Sequence, residues 1–268
     1  QPTLFIAYTI KGFGLPFQGH KDNHSGLMTN DQIATLRDKL GVREGDEWAP
    51  FAGLGDNEAG ALRDLIAASP FASNEVRRHS APLIATPTRA LFPKTRTEKQ
   101  STQVAFGRLL LDLAKLNHEI GARIVTTSPD VTVSTNLGGF VNQRGLFRRR
   151  DMPDVFHGAK IPSAQKWRAH GAGQHIELGI AENNLFLLLA ALGLSSDLWG
   201  ERLLPVGTIY DPFIARGLDA LNYACYQDAR FMIVGTPSGV TLAPEGGAHQ
   251  SIGTPLTGMS QDGLAAFE

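Results

Sequence analysis

The stretch QHIELGIAENNLFLLLAA, which spans residues 174–191, sets a carboxylate at the entrance of an apolar helix. The helix is predicted to run from Ala181 to about Leu194, and the carboxylate is that of Glu182. Burial in apolar surroundings disfavours the charged form of a carboxylate. We therefore expect Glu182 to keep a proton and to hand it to a bound ring rather than to pair with a cation. The alternative interpretation is that Glu182 caps the backbone amides at the start of the helix.

Helices and strands alternate on both sides of this stretch. Apolar periodicity predicts helices from Ser101 to about Gly121 and from Phe213 to about Tyr226, and strands at 122–127, 204–209 and 231–235. This order predicts an α/β fold, an open and mostly parallel doubly wound sheet with helices on both faces. Ligands of such sheets lie at the carboxyl ends of the strands.

The chain before residue 101 is less regular. Leu4 to Ile10 predicts an apolar strand, and Thr29-Asn30-Asp31-Gln32 has the capping-box spacing that starts a short helix. Residues 42–100 carry many prolines and short helical pieces such as 59–68. This composition predicts an irregular, partly helical arm that lies over the surface.

The composition is that of an ordinary globular protein. The 268 residues are 42% hydrophobic and 19% charged, enough for a sizeable core, and the formal net charge of -1 offers no general attraction to nucleic acid or to an anionic membrane. The single cysteine, Cys225, excludes an intrachain disulfide and a thiolate zinc cluster, so we expect a cytoplasmic protein. No apolar run reaches membrane-spanning length, and the start at 1–8 lacks the features of a signal peptide.

Three loops beyond the predicted strands hold side chains whose chemistry fits together. Ser128-Pro129-Asp130 follows the first strand, Tyr210-Asp211-Pro212-Phe213 follows the second, and residues 245–251 lie beyond the third. We expect the three loops to line one crevice together with Glu182, because the carboxyl ends of parallel strands meet at one edge of the sheet.

Aromatic and titratable residues of these loops indicate how a ligand would be held. Tyr210 and Phe213 flank a turn at a helix start and can present aromatic faces to a flat heterocycle. His249 can move protons near neutral pH. Phe213 also fits ordinary core packing, and His249 also fits a loop histidine with satisfied hydrogen bonds.

Taken together, the residues from Pro2 to about Gly258 resemble the thiamine-diphosphate-dependent enzymes of the transketolase superfamily. They are most similar to the decarboxylating first component of homodimeric pyruvate dehydrogenase complexes. Residues 2–14 look like the last strand of that family's diphosphate-binding domain, and Asp22-Asn23-His24 looks like its following active-site loop. The resemblance implies three segments: the end of a diphosphate-binding domain and the active-site loop at 1–28, a connecting arm at 29–100, and a pyrimidine-binding domain at 101–268.

Site roles follow from the resemblance residue by residue. Glu182, in the segment GIAEN, matches the glutamate that hydrogen-bonds the aminopyrimidine ring of thiamine diphosphate and helps to activate it. The resemblance further implies that Tyr210, Phe213 and Asp130 contact the cofactor, that Glu245 and His249 line the substrate pocket, and that His24 and His249 act on protons at the substrate. The implied reaction is decarboxylation of a 2-oxo acid such as pyruvate, with transfer of the acyl group to lipoamide.

The family holds diphosphate and Mg²⁺ with a Gly-Asp-Gly segment, which this sequence does not contain. We therefore predict no metal ligand in this chain and expect the metal and diphosphate site to lie outside it. A second subunit or a diphosphate-binding domain is expected to complete the active site, most simply in a homodimer. A lipoyl-bearing acyltransferase is the expected further partner, and the chain alone is expected to be incomplete.

Other chemistries have less support in the residues. His20 and His24 are four apart, but Gly19 and Asn23 indicate a loop rather than the helix face that would bring two zinc ligands together. Arg148-Arg149-Arg150 fits a solvated turn. The sequence has no complete dinucleotide-binding fingerprint and no serine-centred nucleophile elbow.

Two alternatives to the dehydrogenase stay open. The first is ketol transfer of the transketolase or deoxyxylulose-phosphate synthase type, whose sugar-phosphate substrates need basic residues at the pocket. The segments 210–213 and 245–251 contain no such cluster, which favours a short, uncharged 2-oxo acid side chain. The second is a non-catalytic module that keeps the fold for dimerisation or regulation.

Overall fold

The computed structural model describes residues 3–69, 72, 78–89, 98–116, 118–150, 152–163, 165–241 and 246–267, with only the backbone described at Asp22. The chain forms two compact units, a first unit, Gln1–Glu75, and a second unit, Val76–Glu268. Among the described residues, no helix is long and apolar enough to cross a membrane.

The first unit contains short helices and turns. It holds a 3₁₀ helix at Lys21–His24, helix α1 at Asn30–Lys39 and helix α2 at Asp56–Ala67. The predicted capping box at the start of α1 is confirmed: the Gln32 amide donates to Thr29 Oγ1 at 3.3 Å, and the Thr29 amide donates to Gln32 Oε1 at 2.9 Å.

The prediction of a strand at Leu4–Ile10 is wrong. Residues 3–10 have no regular secondary structure and are exposed. A β-strand needs a neighbouring strand for its backbone amides and carbonyls, and no described residue of the first unit forms one. The apolar pattern of Leu4–Ile10 alone was therefore insufficient to predict a strand.

The second unit is built around one parallel sheet. Within the described residues, six strands pair in the order β3-β2-β4-β1-β5-β6, all parallel to their neighbours. The strands are β1 (Ile124–Ser128), β2 (Leu146–Phe147), β3 (Ala169–His170), β4 (His175–Glu177), β5 (Leu204–Ile209) and β6 (Met232–Gly235). The predicted α/β class with a parallel sheet is confirmed.

Helices separate these strands along the chain. They are α3 (Thr102–Lys115), α4 (Glu119–Arg123), α5 (Gly138–Arg144), α6 (Val155–Gly158), α7 (Glu182–Gly193), α8 (Ser195–Trp199), α9 (Leu218–Tyr226) and α10 (Pro255–Ser260), with 3₁₀ helices at Asp211–Gly217 and Gly247–His249.

Two apolar clusters cover the two faces of the sheet. Val206 of β5 packs with α3 and α5, whereas Ile209 of the same strand packs with α7 and α9. Side chains alternate between the faces of a strand, so residues three apart point to opposite sides. The helices therefore lie on both faces, as the doubly wound pattern predicts.

Two predicted helices are each divided in the structure. The helix expected from Ser101 to Gly121 is split into α3 and α4, because Leu116 takes an extended backbone with ψ 135° and His118 Nδ1 caps the new helix by accepting from the Ile120 amide at 3.1 Å. The helix expected from Phe213 to Tyr226 begins as the 3₁₀ helix Asp211–Gly217 and continues as α9.

A glycine pair tests the packing of α3 against the loop that precedes α5. A Cβ at Gly107 would clash with the backbone carbonyl oxygen of Asn136, whereas a Cβ at Gly60 in α2 would have no atom within 4 Å. Gly107→Ala is expected to lower the free energy of unfolding by about 1–3 kcal/mol, as overpacking does.

Gly60→Ala is the matched control, and it should raise the free energy of unfolding by about 0.5–1 kcal/mol because alanine favours a helix over glycine. Urea denaturation measures both values. Equal effects of the two substitutions would contradict the described contact at Asn136.

Candidate active site

A cavity of about 160 Å³ opens at the carboxyl ends of the strands in the second unit. Its lining includes five of the seven residues singled out in the sequence: Asp130, Glu182, Tyr210, Phe213 and His249. They come from three loops and one helix start that are far apart in the chain. For these five residues the structure agrees with the prediction that the three loops and Glu182 line one crevice.

The other two candidate residues lie elsewhere. His24 belongs to the first unit, where its Nδ1 lies 2.7 Å from Lys11 Nζ, and its catalytic role stays a prediction. Glu245 lies outside the described residues. Among the residues that are described, no cluster of three or more His, Cys, Asp or Glu side chains could hold a metal ion.

Glu182 is the first residue of α7 and is 9% exposed. The chain reaches it from β4 through Gly179, whose φ of +67° lies in the left-handed region that favours glycine. The turn sets the carboxylate at the cavity, and the apolar residues that follow anchor the helix in the core. The predicted placement of Glu182 at the helix entrance therefore agrees with the structure.

Arg216 is a charged residue of the cavity lining that was not predicted from the sequence. Its Nη1 donates to Glu182 Oε1 at 2.5 Å, and its Cζ lies 4.0 Å from the centre of the Phe213 ring. The expectation that Glu182 has no cationic partner is therefore wrong. An available signal was the spacing in DPFIARG, because side chains three apart in a 3₁₀ helix lie on the same side.

An aromatic corner forms the wall beside Glu182. Tyr210 directly follows β5 and is 8% exposed, and its ring lies 6.0 Å from that of Phe213 at an interplanar angle of 30°. His249 sets its ring edge-on against both, at 5.6 Å from Tyr210 and 5.3 Å from Phe213. We define these three rings as the aromatic corner, and they offer a flat ligand both a face and an imidazole.

Asp211 links the aromatic corner to the loop that carries His249. This buried residue accepts from the Gly239 amide through Oδ2 at 3.5 Å and from Thr254 Oγ1 through its backbone oxygen at 3.3 Å. The Gly239 oxygen in turn accepts from the Ser251 amide at 3.1 Å. These contacts hold the two ends of the loop beside the corner.

A polar network positions Asp130, which also lines the cavity. Asp130 has a φ of +65°, and its amide donates to Glu177 Oε1 at 2.9 Å. Thr132 Oγ1 donates to Glu177 Oε2 at 2.5 Å, and the buried His175 places Nε2 3.5 Å from the same oxygen. Burial by itself raises the pKa of Glu177, but the contacts with His175, Thr132 and the Asp130 amide outweigh it and hold the pKa below its usual range.

Comparison with known proteins identifies the family. The sequence pattern of the family described as "Pyruvate dehydrogenase E1 component middle domain" matches residues 90–258, more than half of the chain. The chain belongs to this family. It is thereby a member of the thiamine-diphosphate-dependent, transketolase-like superfamily.

Curated relatives are pyruvate dehydrogenase E1 components. The relative from Pseudomonas aeruginosa is 28% identical over 264 residues, which cover 93% of this chain and 29% of that protein. The relative from Corynebacterium glutamicum is 24% identical over 287 residues, which cover 100% of this chain and 31% of that protein. The chain therefore spans less than a third of the length of these relatives.

Solved transketolases share the fold. The enzyme from Campylobacter jejuni superposes with a TM-score of 0.59 at 17% identity, covering 93% of this chain and 35% of its own. The transketolase from Leishmania mexicana gives a TM-score of 0.55 at 18% identity, covering 90% and 34%. At this identity the likeness establishes the fold alone.

The residues of the E1 middle-domain cavity fit the pyrimidine end of thiamine diphosphate. The volume is below the about 300–1,000 Å³ of pockets for whole ligands, so it suits a single ring. The guanidinium of Arg216 already contacts the face of Phe213 and bonds to Glu182, which shows that a flat nitrogen-bearing group can make both contacts.

The Glu177 network yields a pH-dependent prediction. Glu177→Gln removes the charge on which the hydrogen bonds converge and should lower the free energy of unfolding by about 1–3 kcal/mol at pH 7. A lowered pKa contributes stability above the usual glutamate value of about 4.3, and that stability is lost as the pH falls through the lowered value. The difference in the free energy of unfolding between wild type and Glu177→Gln should therefore become smaller in acid.

Urea denaturation at a series of pH values measures this difference in the free energy of unfolding. Asp228→Asn is the control, because Asp228 pairs with Arg230 on the surface with its side chain 85% exposed. A gap for Glu177→Gln that stays constant down to the acid limit of folding would contradict the network.

Proposed function

We propose that this chain forms the pyrimidine-binding part of a thiamine-diphosphate-dependent 2-oxo acid dehydrogenase of the pyruvate dehydrogenase type. The reaction is the oxidative decarboxylation of pyruvate or a similarly short 2-oxo acid, with transfer of the acyl group to lipoamide. The observation that carries the proposal is the meeting of Glu182, Tyr210 and Phe213 in one ring-sized cavity. Membership of the E1 middle-domain family supports it independently.

Each cavity residue receives a role suited to its surroundings. Glu182 holds a proton at a ring nitrogen of the pyrimidine, and Tyr210 and Phe213 fix the plane of that ring. When bound, thiamine diphosphate would supply a carbon nucleophile for the keto carbon and a sink for the electron pair that decarboxylation releases. Asp130, which also lines the cavity, contacts the cofactor.

The substrate side is assigned to His249, Glu245 and His24. His249 is half-buried against the aromatic corner, and its imidazole is assigned to proton transfer at the substrate. Glu245 and His24 are assigned to the same side by resemblance to the family. A separate diphosphate-binding domain or second subunit, most simply in a homodimer, supplies the Mg²⁺ and diphosphate contacts.

The assembly proposed around this chain has further parts. The chain divides into the end of a diphosphate-binding domain at 1–28, an arm at 29–100 and the pyrimidine-binding domain at 101–268; the family pattern begins somewhat earlier, at residue 90. A lipoyl-bearing acyltransferase receives the acyl group. A cytoplasmic location is proposed from the single cysteine.

Ketol transfer is the alternative reaction, and a specific observation bears on it. Arg216 adds a cation to a cavity that the sequence analysis took to have no basic cluster. Its guanidinium is engaged by Glu182 and Phe213, however, and a lone arginine is not the cluster that a sugar phosphate needs. The curated relatives, all E1 components, also favour the dehydrogenase.

A reconstitution experiment tests the proposed function. This chain is combined with thiamine diphosphate, Mg²⁺ and a separately supplied diphosphate-binding domain, and release of carbon dioxide from pyruvate is measured. Glu182→Gln should reduce turnover at least about 100-fold, the usual range for removing an acid or base. Acetyl transfer to added lipoamide identifies the acceptor.

Asp219→Asn provides the matched control, because Asp219 is an exposed carboxylate in the first turn of α9 and is not part of the cavity lining. Its turnover should equal that of wild type. Turnover of xylulose phosphate in place of pyruvate would support ketol transfer. A folded complex without any turnover would favour the non-catalytic module.

A further inference from the structure

Arg216 makes the two contacts that a flat ligand ring would need in this cavity. One is the hydrogen bond from Nη1 to Glu182 Oε1 at 2.5 Å, and the other is the stacking of the guanidinium on Phe213 at 4.0 Å. The first engages Oε1 of the carboxylate, and the second places the guanidinium over the aromatic ring. A flat ligand that used Oε1 of Glu182 and the same side of the Phe213 ring would therefore meet the guanidinium first.

The chemistry of the guanidinium defines the class of group that this site accepts. A guanidinium is planar, carries N–H donors on a central N–C–N unit, and stacks on aromatic rings. An aminopyrimidine is also planar and also contains an N–C–N unit with an amino group. A carboxylate beside an aromatic face can bind either of them through an edge-on hydrogen bond and a face contact.

We propose that Phe213 and Glu182 form a clamp for a planar N–C–N group, that Arg216 occupies this clamp, and that an incoming ring of that class must displace it. The identification of the incoming ring as an aminopyrimidine rests on the proposed function. The clamp itself rests on the two contacts of Arg216. Arg216 is thus a built-in competitor for the ring site.

The burial of the two partners indicates which of them moves. The side chain of Arg216 is 53% exposed, whereas that of Glu182 is 11% exposed. A half-exposed arginine can rotate into water and keep its charge hydrated, but Glu182 is held at the start of a helix packed in the core. The guanidinium therefore leaves, and the clamp residues stay.

Competition of this kind has a defined effect on affinity. If only the open clamp binds a ring, the apparent dissociation constant is the intrinsic one divided by the fraction of molecules in which the clamp is open. Removal of the Arg216 side chain raises the fraction of molecules with an open clamp to one. Ring affinity should then increase without any new contact.

The test is a titration of this chain with 4-amino-2-methylpyrimidine, followed by NMR. Arg216→Ala is expected to bind the ring about tenfold more tightly than wild type, equivalent to about 1.4 kcal/mol. Arg216→Lys should fall between the two, because an ammonium keeps the charge but cannot stack as a plane. Arg230→Ala is the matched control, since Arg230 is an exposed arginine paired with Asp228, and it should bind as wild type does.

A second titration tests the clamp without the ring. Methylguanidinium should bind to Arg216→Ala and compete there with the pyrimidine, but it should have no such effect in Arg216→Ala that also carries Glu182→Gln. The signals of Phe213 and Tyr210 report binding at the site. This readout is independent of turnover.

The outcomes separate this inference from the proposed function. Equal or weaker ring binding in Arg216→Ala overturns the competition while leaving the proposed function in place. A gain of the same size in Arg230→Ala also overturns it, because the gain would then reflect overall charge. Methylguanidinium binding without any pyrimidine binding supports the clamp but overturns the proposed ring, and binding of neither compound by the folded variant overturns both.

Discussion

The register of three parallel strands is the constraint on which the cavity depends. Strand β1 lies between β4 and β5, with Ser128 opposite Glu177 and Thr127 opposite Gly207. Because all three strands run in the same direction, the segments that follow them leave the sheet at one edge. A slip of one residue would turn the side chains of a strand to the opposite face. The register therefore decides which side chains reach the cavity.

Polar side chains are also buried in and beside these strands. Thr126 Oγ1 lies 2.9 Å from His175 Nδ1, and Thr135 Oγ1 lies 2.8 Å from Thr208 Oγ1, with all four residues fully buried. A buried polar group without a partner costs free energy, whereas a satisfied network rigidifies its surroundings. His175 also contacts Thr132, and Thr132 and the Asp130 amide both donate to Glu177, so these hydrogen bonds connect the buried strand residues to the turn at Asp130.

Glu182 has a cationic partner in a nearly buried position. It lies at the start of an apolar helix, with its side chain 11% exposed. The guanidinium of Arg216 donates a short hydrogen bond to its Oε1. The proposed chemistry needs Glu182 to share a proton with a ring instead. Exchange of one planar partner for another reconciles the ion pair with that chemistry.

Local patterns in the sequence were sufficient to predict those elements that depend only on neighbouring residues. The capping box at Thr29, the apolar run of α7 behind Glu182, and strands β1, β5 and β6 depend on residues that are close neighbours in the chain, and each could be predicted. Strands β2 and β3 have two residues each and exist only through pairing with their neighbours, so no local period could indicate them. The contact between Arg216 and Glu182 joins residues 34 positions apart. Only the tertiary structure could decide it, because an ion pair across that separation depends on how the 3₁₀ helix after β5 is laid against the start of α7.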